Sequence, residues 1–76
     1  MLKRTLNPKS WDNDENVAHS YGEYTLILSG RIEYHINGKV YSLSSGDGIY
    51  VPENTPHSMY NPEDEKAEFF LTMSQI

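Results

Sequence analysis

The sequence predicts an all-β domain. Apolar and polar residues alternate along several short runs, and clusters of Gly, Pro, Asn and Asp interrupt those runs roughly every 8–12 residues. No stretch carries the 3.6-residue apolar period of an amphipathic helix. With 76 residues the chain is long enough for one domain, and with no Cys it has neither a disulfide nor a thiolate metal ligand. A domain this small buries only about 60–65% of its unfolded surface, so a partner copy or a bound group is expected to add stability.

In chain order, Met1 to Leu6 is weakly apolar and suits a short edge strand. Asn7-Pro8 opens a turn, and Trp11 precedes an acidic loop, residues 12–16. The lone Trp reads as an anchor or interface residue, because it offers a large area with few rotamers. Val17, His19, Tyr21, Glu23, Thr25 and Ile27 share one parity of a strand that Gly22 can bend. Tyr24 to Leu28 is apolar on both parities, as in a strand covered on both faces. Arg31 to Ile36 alternates and meets Asn37-Gly38, a type I′ hairpin signal, before Lys39 to Leu43 returns. That turn pairs Ile36 with Lys39, Tyr34 with Tyr41 and Ile32 with Leu43, and sends His35 to the solvated side.

The next run, Gly46 to Asn61, reads GDGIYVPENTPHSMYN. Gly46-Asp47-Gly48 is a turn in which Asp47 caps the backbone, Ile49 to Val51 is a strand, and Pro52 and Pro56 stiffen a loop that ends at His57. His57 therefore sits where a rigid loop hands over to a strand. Asn61 reads as a turn residue. Ala67, Phe69, Leu71 and Met73 alternate with Glu68, Phe70 and Thr72 in a last strand. Residues 1–16 form an N-terminal arm, able to act as an edge or exchanged strand, ahead of a β domain over residues 17–76.

Formal charge is -5, with six Lys plus Arg against eleven Asp plus Glu. No basic stripe follows a phosphate backbone, so nucleic acid is not an expected partner. The first residues lack the apolar run of a secretion signal, and no run reaches membrane-spanning length. A soluble, cytoplasmic protein is the expectation. The doubly apolar strand and Trp11 argue for a homodimer.

Chemistry concentrates on three side chains. His19 and Glu23 lie on one strand parity, and His57 heads another strand. Two imidazoles and a carboxylate suit a divalent transition metal such as Fe, Ni, Mn, Zn or Cu and leave coordination positions open. A straight strand separates positions i and i+4 by about 13 Å, so their convergence requires the bend at Gly22. Tyr21 and Met59, on the parities of His19 and His57, are the candidate ligand contacts. No nucleophile–base pair is visible, which removes Ser or Cys hydrolysis.

The spacing Gly46, Pro52, His57, Asn61 resembles the second motif of the cupin superfamily, with Asn54 where that motif has a second glycine. Asn tolerates a left-handed backbone better than most residues. Counting back from Gly30, the first motif's glutamate falls on Glu23 and its second histidine on His19, while Val17 stands where the first histidine belongs. The resemblance implies a small double-stranded β-helix, or jelly-roll barrel, with metal ligands His19, Glu23 and His57, acting on or binding a small polar metabolite. With Val17 in the ligand set, the resemblance also allows a metal-free barrel that binds or senses a small ligand, or a structural barrel with a decayed site.

Overall fold

The computed structural model describes residues 2–12 and 20–74, and of Ser74 only the backbone. The strands are β1 (Leu2–Leu6), β2 (Ser10–Trp11), β3 (Gly22–Ser29), β4 (Arg31–Ile36), β5 (Lys39–Ser44), β6 (Gly48–Val51), β7 (His57–Asn61) and β8 (Ala67–Ser74). They form two four-stranded sheets, in the orders β1-β8-β3-β6 and β2-β7-β4-β5. Every ladder is antiparallel. No helix among the described residues is long and apolar enough to cross a membrane.

The β4–β5 hairpin has the register its turn dictates. Asn37 and Gly38 take φ of 50° and 80°, as a type I′ turn requires, and Ile36, Tyr34 and Ile32 face Lys39, Tyr41 and Leu43. The two tyrosines then part company: Tyr34 is fully buried, whereas Tyr41 is 42% exposed because it lies on an edge strand.

Alternation along β8 turns Ala67, Phe69 and Leu71 inward, where they meet Ile27, Ile32, Tyr34, Val51 and Met59. Each fully buried side chain of this size contributes about 1.5–3 kcal/mol relative to exposure. From β1, Leu6 joins the same core. Asn61 ties the chain ends to it: its side-chain amide reaches the carbonyls of Leu6, Asn7 and Glu65 at 3.1, 3.2 and 2.7 Å, and its oxygen accepts from the Glu63 N–H at 3.0 Å. The turn reading for this residue thus expands into a clip between three segments.

The expected closed barrel is not what forms. Sheet one ends in β1 and β6, sheet two in β2 and β5, and no ladder among the described residues joins the two sheets. The β5–β6 connection carries the chain from the second sheet to the first. Asp47 closes its own turn, bonding the Ser44 N–H through its carboxylate at 2.9 Å. Gly46, at φ 92°, donates to the Ile27 carbonyl, and the Ile27 N–H donates to the Asp47 carbonyl, both at 2.9 Å. The turn is therefore docked on β3, which steers β6 onto β3 instead of beside β5. The product is an open two-sheet sandwich. A cleft lined by Ile36, Tyr41, Leu43, Ile49, Tyr50 and Pro52 lies where a barrel would close.

Candidate functional site

The loop before β7 delivers His57 as its sequence suggests. Asn54 takes the left-handed conformation at φ 57°, which fits an Asn in place of the glycine. His57 arrives buried, and its Nδ1 lies 2.8 Å from the Thr55 carbonyl. A carbonyl only accepts, so Nδ1 carries a hydrogen and the other ring nitrogen, Nε2, faces the interior.

Glu23 comes from the start of β3. It stands across from Val51 on one side and Met73 on the other, and its inward parity buries the carboxylate. Just before it, Gly22 leaves room for the Tyr50 ring. Glu23 Oε2 and His57 Nε2 lie 3.1 Å apart, with side-chain exposures of 9% and 5%. The two side chains share a hydrogen bond whose donor depends on the imidazole tautomer. Burial of an unpaired charge here would cost several kcal/mol.

Tyr34 supports the pair from below, its ring stacked on His57 at 6.4 Å and 24°. The Tyr34 hydroxyl bonds to Thr25 Oγ1 at 2.5 Å. Burial pushes this phenol's pKa well above its ordinary value of 10.0, against the opposing effect of the Thr25 bond.

The pair opens into a cavity of about 160 Å³ lined by Arg4, Asp12, Tyr21, Glu23, His57, Met59, Leu71 and Met73. At its edge Arg4 Nη2 meets Asp12 Oδ1 at 3.1 Å. The Asp12 backbone N–H is anchored on the Met59 carbonyl at 2.9 Å. Of the residues singled out from the sequence, Tyr21, Glu23, His57 and Met59 thus line one cavity, whereas His19 and Val17 lie outside the described residues.

The expected metal centre requires correction. Among the described residues no group of three or more His, Cys, Asp or Glu side chains is placed to hold a metal ion. Glu23 and His57 are hydrogen-bonded to each other: the carboxylate lies on the same Nε2 that a metal would take. The next carboxylate of the cavity, Asp12, is bound to Arg4. A hydrogen-bonded pair stands where a ligand triad for a divalent transition metal was expected.

Two charged lining residues, Arg4 and Asp12, were missed in the sequence, as were the apolar Leu71 and Met73. Arg4 shares the parity of Leu6, and its register opposite Phe69 turns it toward the core side. That alternation was a usable signal. Asp12 carried none, since it reads as one more residue of an acidic loop. His35, expected to be solvated, lies on the outer face as predicted but half-buried, with the Trp11 ring tilted over it at 4.9 Å.

The family model described as "Cupin domain" matches residues 3–73, and the chain belongs to this Cupin_2 family. Its sequence is 47% identical over 47 residues to an acireductone dioxygenase of Alcanivorax borkumensis, covering 57% of this chain and 26% of that protein. It is 27% identical over 59 residues to the polyketide synthase CurC of Streptomyces cyaneus, covering 76% of this chain and 38% of that protein. The chain therefore spans well under half the length of these curated relatives. In fold it is similar to the Cnp3 cupin domain of Schizosaccharomyces pombe, with a TM-score of 0.89 at 16% identity over 97% of this chain and 53% of that one.

Proposed function

We propose that this protein is a small-ligand binding or sensing domain whose ligand is held by the cavity's own side chains. The observation that carries the reading is the buried Glu23–His57 pair facing a cavity of about 160 Å³. A core that needed only stability would be served as well by apolar residues of similar volume, because a buried ion pair is weak evidence for stability. The Glu23 carboxylate, held in place by His57, offers acceptor oxygens to a polar group of the ligand. Tyr21 adds a phenol at the rim, and Met59 and Leu71 form an apolar wall.

The test is an NMR titration of the ¹⁵N-labelled chain, in EDTA, with a panel of small polar metabolites. We expect saturable shifts confined to Tyr21, Glu23, His57 and Met59, and weaker binding by Glu23→Gln. Binding that vanishes in EDTA, or shifts confined to other residues, contradicts the reading.

We also infer that two copies associate through the outer face of the first sheet. Tyr24 and Tyr50 are 45% and 49% exposed there, and Leu26, Leu28 and Phe70 lie half-buried beside them. Such a contiguous apolar area is characteristic of an interface. Light scattering should give a dimer at micromolar concentration and a monomer for Tyr24→Glu. A wild-type monomer would count against the interface.

A further inference from the structure

We propose that the ligand is a small carboxylate, bound by Arg4 in exchange for Asp12, with a hydroxyl group turned toward the Glu23 carboxylate. The inference rests on the cavity being the ligand site, as proposed above, and adds the chemical class.

Size comes first. A volume of about 160 Å³ equals roughly five waters' share of the liquid, which admits a molecule of about five to eight heavy atoms. The lining then sets the pattern. Among the described residues Arg4 is the one Lys or Arg of the cavity lining, which it shares with the apolar Met59, Leu71 and Met73. The Glu23–His57 pair provides a second polar pole, so a ligand with two polar groups on a short carbon frame matches the lining.

The end that Arg4 recognises follows from its present partner. A guanidinium has five N–H donors arranged to take a carboxylate in a two-pronged grip. Here it meets the Asp12 carboxylate through Nη2 alone, at 3.1 Å. The Arg4 side chain is 46% exposed and that of Asp12 is 18% exposed, so donors of Arg4 remain accessible. Asp12 is thus an internal carboxylate already seated on Arg4, and it shows which group that site accepts.

Charge favours exchange over simple addition. Arg4 with Asp12 is neutral, and the cavity wall also carries the Glu23 carboxylate. An added anion would leave the cavity with surplus negative charge. An anion that displaces Asp12 toward solvent replaces one carboxylate on Arg4 by another, and the wider planar grip favours the incoming carboxylate. Asp12 therefore acts as an internal competitor that lowers apparent affinity.

Lactate, lactamide and glycerol have six heavy atoms each and separate the alternatives. They are titrated by NMR into the full chain in EDTA at fixed ionic strength. Lactate is expected to bind about tenfold or more tighter than lactamide or glycerol. Arg4→Gln should weaken lactate about tenfold and leave lactamide unchanged. Asp12→Asn should tighten lactate about threefold or more by removing the competitor, a gain that misfolding does not imitate. If Arg4→Gln fails to fold, Asp12→Asn decides alone. Lactamide or glycerol binding as tightly as lactate, or Asp12→Asn weakening lactate, overturns the carboxylate assignment but leaves the cavity as a ligand site. No shift at Tyr21, Glu23, His57 or Met59 with any of the probes overturns both.

Discussion

The two open edges of the sandwich differ in kind. At the edge of β1 and β2, charged side chains meet: Arg4 binds Asp12, and behind them the buried Glu23–His57 pair faces a cavity. At the edge of β5 and β6, the lining is Ile36, Leu43, Ile49 and Pro52 with two tyrosines, and the cleft is wider and more open. The second edge is what remains when the β5–β6 turn docks on β3 and the sheets fail to close. The first requires buried polar groups, each of which must be satisfied at a cost in folding stability. Under the proposed function, the end that is costly to fold and specific in geometry holds the ligand, and the larger opening does not.

The contrast predicts a graded response to substitution. Glu23→Ala leaves His57 buried without its partner and should cost about 3 kcal/mol by chemical denaturation. A cost below about 1 kcal/mol would mean that the pair is solvated and contributes little. Glu23→Gln keeps the shape and should lower ligand affinity more than it lowers stability, which a titration beside a melting curve will separate.

Between the edges, Tyr34→Phe removes the bond to Thr25 and should cost about 1 kcal/mol. It should also flatten the alkaline limb of the stability profile. The folded state holds the Tyr34 phenol protonated above its unfolded pKa of 10.0. This group's contribution is therefore complete below that pH and declines as pH rises above it. Urea denaturation of both forms between neutral pH and above pH ~10 checks the sign. A slope identical in the two proteins would contradict the burial of this hydroxyl.

The smallest effect belongs to the apolar edge. Tyr41→Ser alters a side chain that is 42% exposed and should cost less than about 1 kcal/mol with no change in ligand affinity. Equal losses of affinity from Tyr41→Ser and Glu23→Gln would abolish the distinction between the edges.

The strands and the hairpin register were legible in the sequence because they rest on local signals. Asn37-Gly38 fixes the turn, and the parity of Ala67, Phe69 and Leu71 fixes the inward face. The loop to His57 was equally legible, since Pro52, Asn54 and Pro56 act on their own backbone. Closure of the barrel was not, because it depends on where the backbone of Gly46 and Asp47 bonds, and that partner, Ile27, is remote in sequence. The site was half legible. Parity placed Glu23 and Met59 inward and the loop placed His57, but nothing local reveals that Glu23 and His57 bond each other instead of a shared metal. Asp12 lay hidden for the same reason, its meaning set by Arg4 across the fold.

The central claim is that the polar edge holds a ligand with its own side chains. An NMR titration of lactate in EDTA, comparing the wild-type chain with Glu23→Gln, tests it most directly. Saturable shifts are expected at Tyr21, His57 and Met59 in the wild type, weakened about tenfold or more in the variant. Shifts that are absent in EDTA, equal in the two proteins, or centred on Tyr41 and Leu43 would contradict it.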